Sequence, residues 1–196
     1  MKIFKSFLNS TDEQTVYDVL TDPKFIWDSN ENTTVNERGG VFIDQYTKTV
    51  NQYTNLAYSF SGFGFPLSSL YGVAELTVKR LEEITGENYF SRLHRIKANM
   101  LLIQDEHNYP YNFYNTPHVD IVGEDSISLL YYVNDSDGDT FMFNECESFT
   151  GDSLSLQHRE PPERNKAVLF DSSKFHSSSS PRKHDKRIVI NVVFKK

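Results

Sequence analysis

From residue 90 onward the sequence is a succession of short apolar runs punctuated by turn residues, and that rhythm leaves few architectures open. The run from Phe90 to Gln104 is long, and apolar on both sides in its second half. Ser126 to Val133 reads as a strand stopped by Asn134-Asp135-Ser136-Asp137-Gly138-Asp139. Thr140 to Phe143 starts another, Leu154-Ser155-Leu156 alternates, Ala167-Val168-Leu169-Phe170 reads as a buried strand, and Arg187 to Phe194 as the last. The first half differs. Ser10 or Thr11 can cap a helix, with Glu13 or Gln14 completing a capping box, and that helix runs to about Leu20, before Asp22-Pro23. Between Ser68 and Ile84 the residues Leu70, Val73, Ala74, Leu76, Val78, Leu81 and Ile84 suit a helix, with Gly86 as its stop. Residues 41–65 read as strands and loops. Helices followed by short antiparallel strands imply a mainly β, α+β chain: a β-sandwich or jelly roll buttressed by N-terminal helices. A length of 196 residues fits a single domain, 1–196, with the buttress over about 1–89 and the barrel over about 90–196.

Composition narrows the function. Aromatic residues at 14% argue against disorder, and a net charge of -7 argues against nucleic acid or an anionic membrane as partner. Lys and Arg thicken only at Arg182, Lys183, Lys186 and Arg187. One cysteine, Cys146, allows no intrachain disulfide and gives no sign of an oxidising compartment. Met1 to Leu8 is too short and too charged for a signal peptide, and no stretch reaches the length of a membrane span. These features lead us to expect a soluble, cytoplasmic protein. Nothing in the sequence speaks to oligomeric state.

The chemistry starts at Pro117-His118-Val119-Asp120. In an extended segment residues i and i+2 face the same side, so His118 and Asp120 can grip one metal ion. Such a pair is expected ~0.4 times by chance in this composition, and His158-Arg159-Glu160 is a similar pair without such company. His176 follows 58 residues after His118, just past the apolar strand 167–170, and Arg187 follows 11 residues later, opening the last strand. Two histidines and one carboxylate make a facial triad that leaves three metal positions open, the arrangement of non-haem Fe(II) oxygenases. A bidentate 2-oxoacid takes two of them and O2 the third. The oxoacid's far carboxylate needs a cationic fork, and Arg187, which shares a strand face with Val189, Asn191 and Val193, can supply it.

At these residues the chain resembles the 2-oxoglutarate/Fe(II)-dependent oxygenases, nearest their prolyl-hydroxylase-like branch, over about residues 90–194. His118-Val119-Asp120 looks like the first two iron ligands, and Val168-Leu169-Phe170 through His176 like the approach to the distal one. Gly138-Asp139-Thr140 resembles a Gly-Gly-Thr-like turn with Asp139 in place of the second Gly. Arg187 matches the residue that pairs with the cosubstrate's far carboxylate. The resemblance implies a double-stranded β-helix, Fe(II), 2-oxoglutarate and O2 as cofactors, with ascorbate as a further candidate, and a hydroxylase activity. It also implies that Tyr132 donates its hydroxyl to the cosubstrate. A second contact comes from the strand before the His-x-Asp, where Gln104 is the candidate and Asn99 and Tyr109 are the substitutes. The loop Glu106 to Thr116 mixes aromatics with amides and leads into the site, as a pocket wall, a lid or a cover for the barrel's edge. Tyr53, Tyr58, Phe60, Phe63 and Phe65 could join it or be core. A peptidyl proline is the first substrate implied, with a free amino acid or other small molecule next. A cupin-like metal-binding module without turnover is the competing reading.

Overall fold

The structure is a computed structural model that describes residues 1–31, 42–48, 50–59, 67–68 and 70–196. In chain order its elements begin with β1 (Lys2–Phe4), α1 (Ser10–Thr21), β2 (Asp28–Glu31), β3 (Thr47–Lys48), β4 (Asn51–Ser59) and α2 (Tyr71–Thr85). They continue with β5 (Leu93–Leu102), β6 (Tyr114–Asn115), β7 (Ser126–Tyr132), β8 (Thr140–Cys146) and β9 (Leu156–Glu160), then β10 (Lys166–Asp171), β11 (Lys174–Ser178) and β12 (Lys186–Lys195). A seven-stranded antiparallel sheet runs β1-β10-β7-β12-β5-β4-β2, and a second sheet runs β11-β8-β9. This is the expected mainly β jelly roll with helices at its back.

Side-chain alternation decides the two faces of the large sheet. Ile188, Ile190, Val192 and Phe194 of β12 join Leu129 and Tyr131 of β7 and Ile96 and Ala98 of β5 in one core cluster. Val16 and Leu20 of α1 and Ala74, Val78 and Leu81 of α2 complete it. The opposite face looks into the barrel. There Leu130, Tyr132, Val168, Phe170 and Val189 meet Met142 of the second sheet. The two apolar sets explain why the strands read as near-continuous hydrophobic runs: both faces are buried.

Several local expectations shift. Asn9, not Ser10 or Thr11, caps α1: its side chain accepts from the backbone N–H of Thr11 and Asp12, each at 3.0 Å. Glu13 closes no capping box and instead pairs with Arg164. Gly86 ends α2 in the left-handed region at φ 74, its N–H reaching the Glu82 carbonyl at 2.8 Å. His176, read as lying beyond a strand, sits within β11, a strand hidden by its serines. Strands β1, β2 and β4, all before residue 90, extend the large sheet. Of the aromatic run expected near the site, Phe60, Phe63 and Phe65 lie outside the described residues, as does the side chain of Tyr58. No helix among the described residues is long and apolar enough to cross a membrane.

Candidate metal centre

A short backbone bridge builds the centre. His118 and His176 exchange two hydrogen bonds, N–H to carbonyl, each 3.0 Å, and the Asp120 N–H reaches the Ser172 carbonyl at 3.1 Å. Val119 packs outward with Tyr114, Phe141, Phe143 and Phe175. The extended segment therefore turns His118 and Asp120 together to the other side. One potential ligand atom from each of His118, Asp120 and His176 lies within 4.8 Å of the others.

The protonation pattern suits a cation. The Nδ1 of His118 lies 3.2 Å from the Thr116 carbonyl, and that of His176 3.0 Å from the Lys174 carbonyl. A carbonyl oxygen only accepts, so each Nδ1 carries a proton and Nε2 is the nitrogen each ring turns toward a ligand. Burial and the neighbouring His176 push the His118 imidazole down to about 3, which keeps it neutral. Burial would raise the Asp120 carboxyl, but His176, Arg95 and His118 hold it well below the usual carboxylate range. The Asp120 side chain is fully buried. Its Oδ1 accepts from Arg95 Nη2 at 2.7 Å, and its Oδ2 from the Ser128 hydroxyl at 2.5 Å, with His176 Nε2 3.4 Å away. The donor set, two imidazoles and a carboxylate, fits a divalent transition metal.

Arg187 lies along the same inner face and is 3% exposed. Its Nε donates to the Gly138 carbonyl at 2.7 Å and its Nη2 to the Thr140 hydroxyl at 2.8 Å. Among the described residues no carboxylate forms an ion pair with it. Burial lowers its pKa, and the Tyr132, Asp139 and Tyr109 groups oppose that. Tyr132, fully buried, shares a 2.8 Å hydrogen bond with the Thr140 hydroxyl, and the guanidinium stands 5.7 Å from its ring centre. Burial pushes the Tyr132 phenol up to about 12, so it stays a proton donor. Tyr109, one of the substitutes named for the second contact, is buried near Arg187 and donates to Asn115 Oδ1 at 2.9 Å. Asn99, the other, carries a buried Oδ1 without a hydrogen-bond partner. Gln104 is not brought here. It follows the end of β5, and its side-chain amide turns back to the Leu102 carbonyl at 3.4 Å. Strand β5 ends two residues before it, so the alternation that aims Asn99 inward does not extend to it.

The turn before β8 seats Arg187. A Cβ on Gly138 would intrude on the Ser179 carbonyl and stand 3.0 Å from both Arg187 Cδ and Pro181 N. Only glycine fits between these segments. Gly138→Ala should destabilise the protein by about 1–3 kcal/mol, as overpacking does, and weaken whatever anion Arg187 holds. Thermal melting and anion titration of that variant check both effects. Unchanged values would mean that the turn yields freely.

Asp137 locks the same turn to the approach to β12. Its Oδ1 accepts from the backbone N–H groups of Arg182, Lys183 and His184, each at 3.2 Å, and lies 3.0 Å from His184 Nδ1. Burial opposes the charge, but these donors lower the Asp137 carboxyl to about 2. A depressed carboxylate pKa gives stability that is present above about pH 4 and lost as the pH falls toward 2. Asp137→Asn should therefore cost about 2 kcal/mol at pH 7 and progressively less below pH 4. Urea denaturation of both proteins at pH 7 and pH 3 reads the difference, and a gap that did not narrow would refute this origin.

The loop 106–116 is fastened to β9 and to the approach to β12. Arg159 stacks 3.6 Å from the centre of the Tyr111 ring and donates to the Tyr111 carbonyl at 3.0 Å. Arg182 stands 4.9 Å from the same ring. Sequence reasoning missed Arg95, Lys97 and Ser128. A signal existed: Arg95, Lys97 and Asn99 alternate with Ile96 and Ala98. Charged residues at alternate positions read as a solvent face, and nothing local says that this face is a barrel interior.

Residues 106–195 match the model of the 2OG-Fe(II) oxygenase superfamily. No curated protein matches the chain. Among solved structures, an oxidoreductase of the 2OG-Fe(II) oxygenase family from Burkholderia pseudomallei aligns with a TM-score of 0.62 at 10% identity, over 98% of this chain and 84% of that one. The epimerase SnoN in complex with Fe3+, alpha ketoglutarate and nogalamycin RO aligns at 0.57 and 12% identity, over 99% and 78%. A prolyl hydroxylase from Trichoplax adhaerens, in complex with a hypoxia inducible factor peptide fragment, aligns at 0.54 and 13% identity, over 99% and 83%. These structural likenesses speak to the fold. Over residues 106–195, its barrel half, the chain is similar to the 2OG-Fe(II) oxygenase superfamily, a class of enzymes that uses Fe(II), 2-oxoglutarate and O2.

Proposed function

We propose that residues 1–196 act as one oxygenase domain, in which His118, Asp120 and His176 hold Fe(II) and Arg187 receives the far carboxylate of 2-oxoglutarate. The reaction couples oxidative decarboxylation of 2-oxoglutarate to hydroxylation of a substrate carbon. The observation that carries this reading is Arg187: a guanidinium 3% exposed, with donors but no carboxylate partner among the described residues. Burying a cation without an anion is costly, so an anionic ligand is the expected partner. Bound Fe(II) supplies the activation of O2 and a chelation site for the 2-oxoacid.

The chain's own residues do the rest. The Thr116 and Lys174 carbonyls fix the two imidazoles with Nε2 inward. Ser128 and Arg95 orient the Asp120 carboxylate. Tyr132 flanks Arg187 as a hydroxyl donor for the same carboxylate, beside Tyr109, whose hydroxyl is committed to Asn115 Oδ1. The loop 106–116 screens the mouth from water. The substrate is taken from peptidyl prolines and free small molecules. Succinate release from 2-oxoglutarate, with Fe(II) and 18O2 over a panel of both, tests the reading. We expect succinate in step with one 18O atom in the product. Absence of 2-oxoglutarate consumption under every condition would favour the cupin-like module instead.

A further inference from the structure

The inner face of β5 carries more positive charge than the cosubstrate requires. Arg95, Lys97 and Asn99 alternate with Ile96 and Ala98, which pack into the helix-side core, so these three face the barrel interior. Lys97 stands opposite Asn191 in the β5–β12 register, and Asn191 Nδ2 reaches Asp120 Oδ1 at 3.4 Å. Lys97 is thus on the wall beside the triad. It lies four residues back along the sheet from the level of Arg187, about 13 Å of strand.

Lys97 is largely buried and forms no hydrogen bond or ion pair among the described residues. Arg95 commits its Nη2 to Asp120 and keeps a buried Nε without a partner, and among the described residues Asp120 is the acid whose charge reaches Lys97. Burial and the Arg95 charge push the Lys97 ammonium down to about 8, which leaves it a cation near neutral pH. Beside it, Asn99 Oδ1 and Asn191 Oδ1 are buried oxygens without donors. An unpaired cation and two unpaired acceptors on one wall are costly unless a ligand completes them. The complement is a carboxylate that travels with an N–H donor.

We propose that Lys97 receives the carboxylate of the substrate, with Asn99 and Asn191 accepting its N–H, so that the substrate is a free amino acid rather than an internal peptide residue. This inference rests on the oxygenase reading above. A residue inside a peptide has no free carboxylate to offer, and 2-oxoglutarate already has Arg187 for its far one.

The test compares each free L-amino acid with its own amide. Succinate release is measured in wild type, Lys97→Met and Lys97→Arg. Calorimetry of the same pairs on Mn(II)- and 2-oxoglutarate-loaded protein without O2 gives a readout independent of turnover. Wild type should favour at least one acid over its amide by about 30-fold, the loss expected when a buried charge pair forfeits one partner. Lys97→Met should erase that preference, and Lys97→Arg should keep part of it. The melting temperature of Lys97→Met should hold or rise, because an unpaired buried ammonium is removed. A fall in it would assign Lys97 a structural role and overturn the proposal. So would a wild type indifferent between acid and amide, or a Lys97→Met protein that keeps the preference. A raised KM for 2-oxoglutarate with the preference intact would give Lys97 to the cosubstrate. Failure of wild type to bind or consume 2-oxoglutarate at all would instead refute the oxygenase reading, and this inference with it.

Discussion

Replacing Arg187 with alanine should raise the apparent KM for 2-oxoglutarate by about 30-fold or more. A charge-assisted bidentate pair in a buried site costs on the order of 2–5 kcal/mol when one partner is removed, and the lower end of that range is about 30-fold in affinity. The residue is buried, its Nε and Nη2 are anchored on Gly138 and Thr140, and no acid pairs with it among the described residues. Arg187→Lys should lose less, because it keeps the charge but not the fork. Fe(II) affinity without 2-oxoglutarate should barely change, since Arg187 is not among the proposed ligands. Lys186, its neighbour on the partly exposed side of β12, is the fair comparison. An equal rise in KM on removing Lys186 would mean that bulk positive charge, not this guanidinium, attracts the cosubstrate.

Removing either histidine of the triad should be more drastic still. His118→Ala or His176→Ala leaves two of three protein ligands, and the expected loss of Fe(II) affinity exceeds the roughly 100-fold typical of losing an outer-shell partner. Turnover should disappear with it. Far-UV circular dichroism should stay native, because the bridge between the two segments is made by backbone groups that both variants keep. His158→Ala is the control. Its ring lies 2.7 Å from Glu160 on β9 and belongs to no described metal-capable cluster. Wild-type turnover in His118→Ala would break the assignment.

The elements that position the triad were unequally legible. The pairing of His118 with Asp120 follows from the period of two in an extended chain, and the outward packing of Val119 is its structural counterpart. Arg187 was readable for the same reason, as one face of an apolar final strand. The strand that carries His176 was not: Lys174-Phe175-His176-Ser177-Ser178 has no apolar alternation, and it becomes a strand through pairing with β8. The inner face of β5 is not legible in the sequence, because a barrel interior lined with Arg95, Lys97 and Asn99 has the pattern of a surface. Gln104 precedes His118 in the chain, whereas register puts Leu101 opposite Arg187 and Asn99 one inward position further along the sheet. Long-range closure, which local pattern cannot show, decided each of these.

The most direct measurement is an anaerobic calorimetric titration of 2-oxoglutarate into wild-type protein with and without Fe(II). If the triad and Arg187 form one site, the metal should tighten 2-oxoglutarate binding by about 10-fold or more, and 2-oxoglutarate should tighten Fe(II) binding by the same factor, as linkage demands. Equal 2-oxoglutarate affinity with and without Fe(II), or no binding in either case, would contradict it.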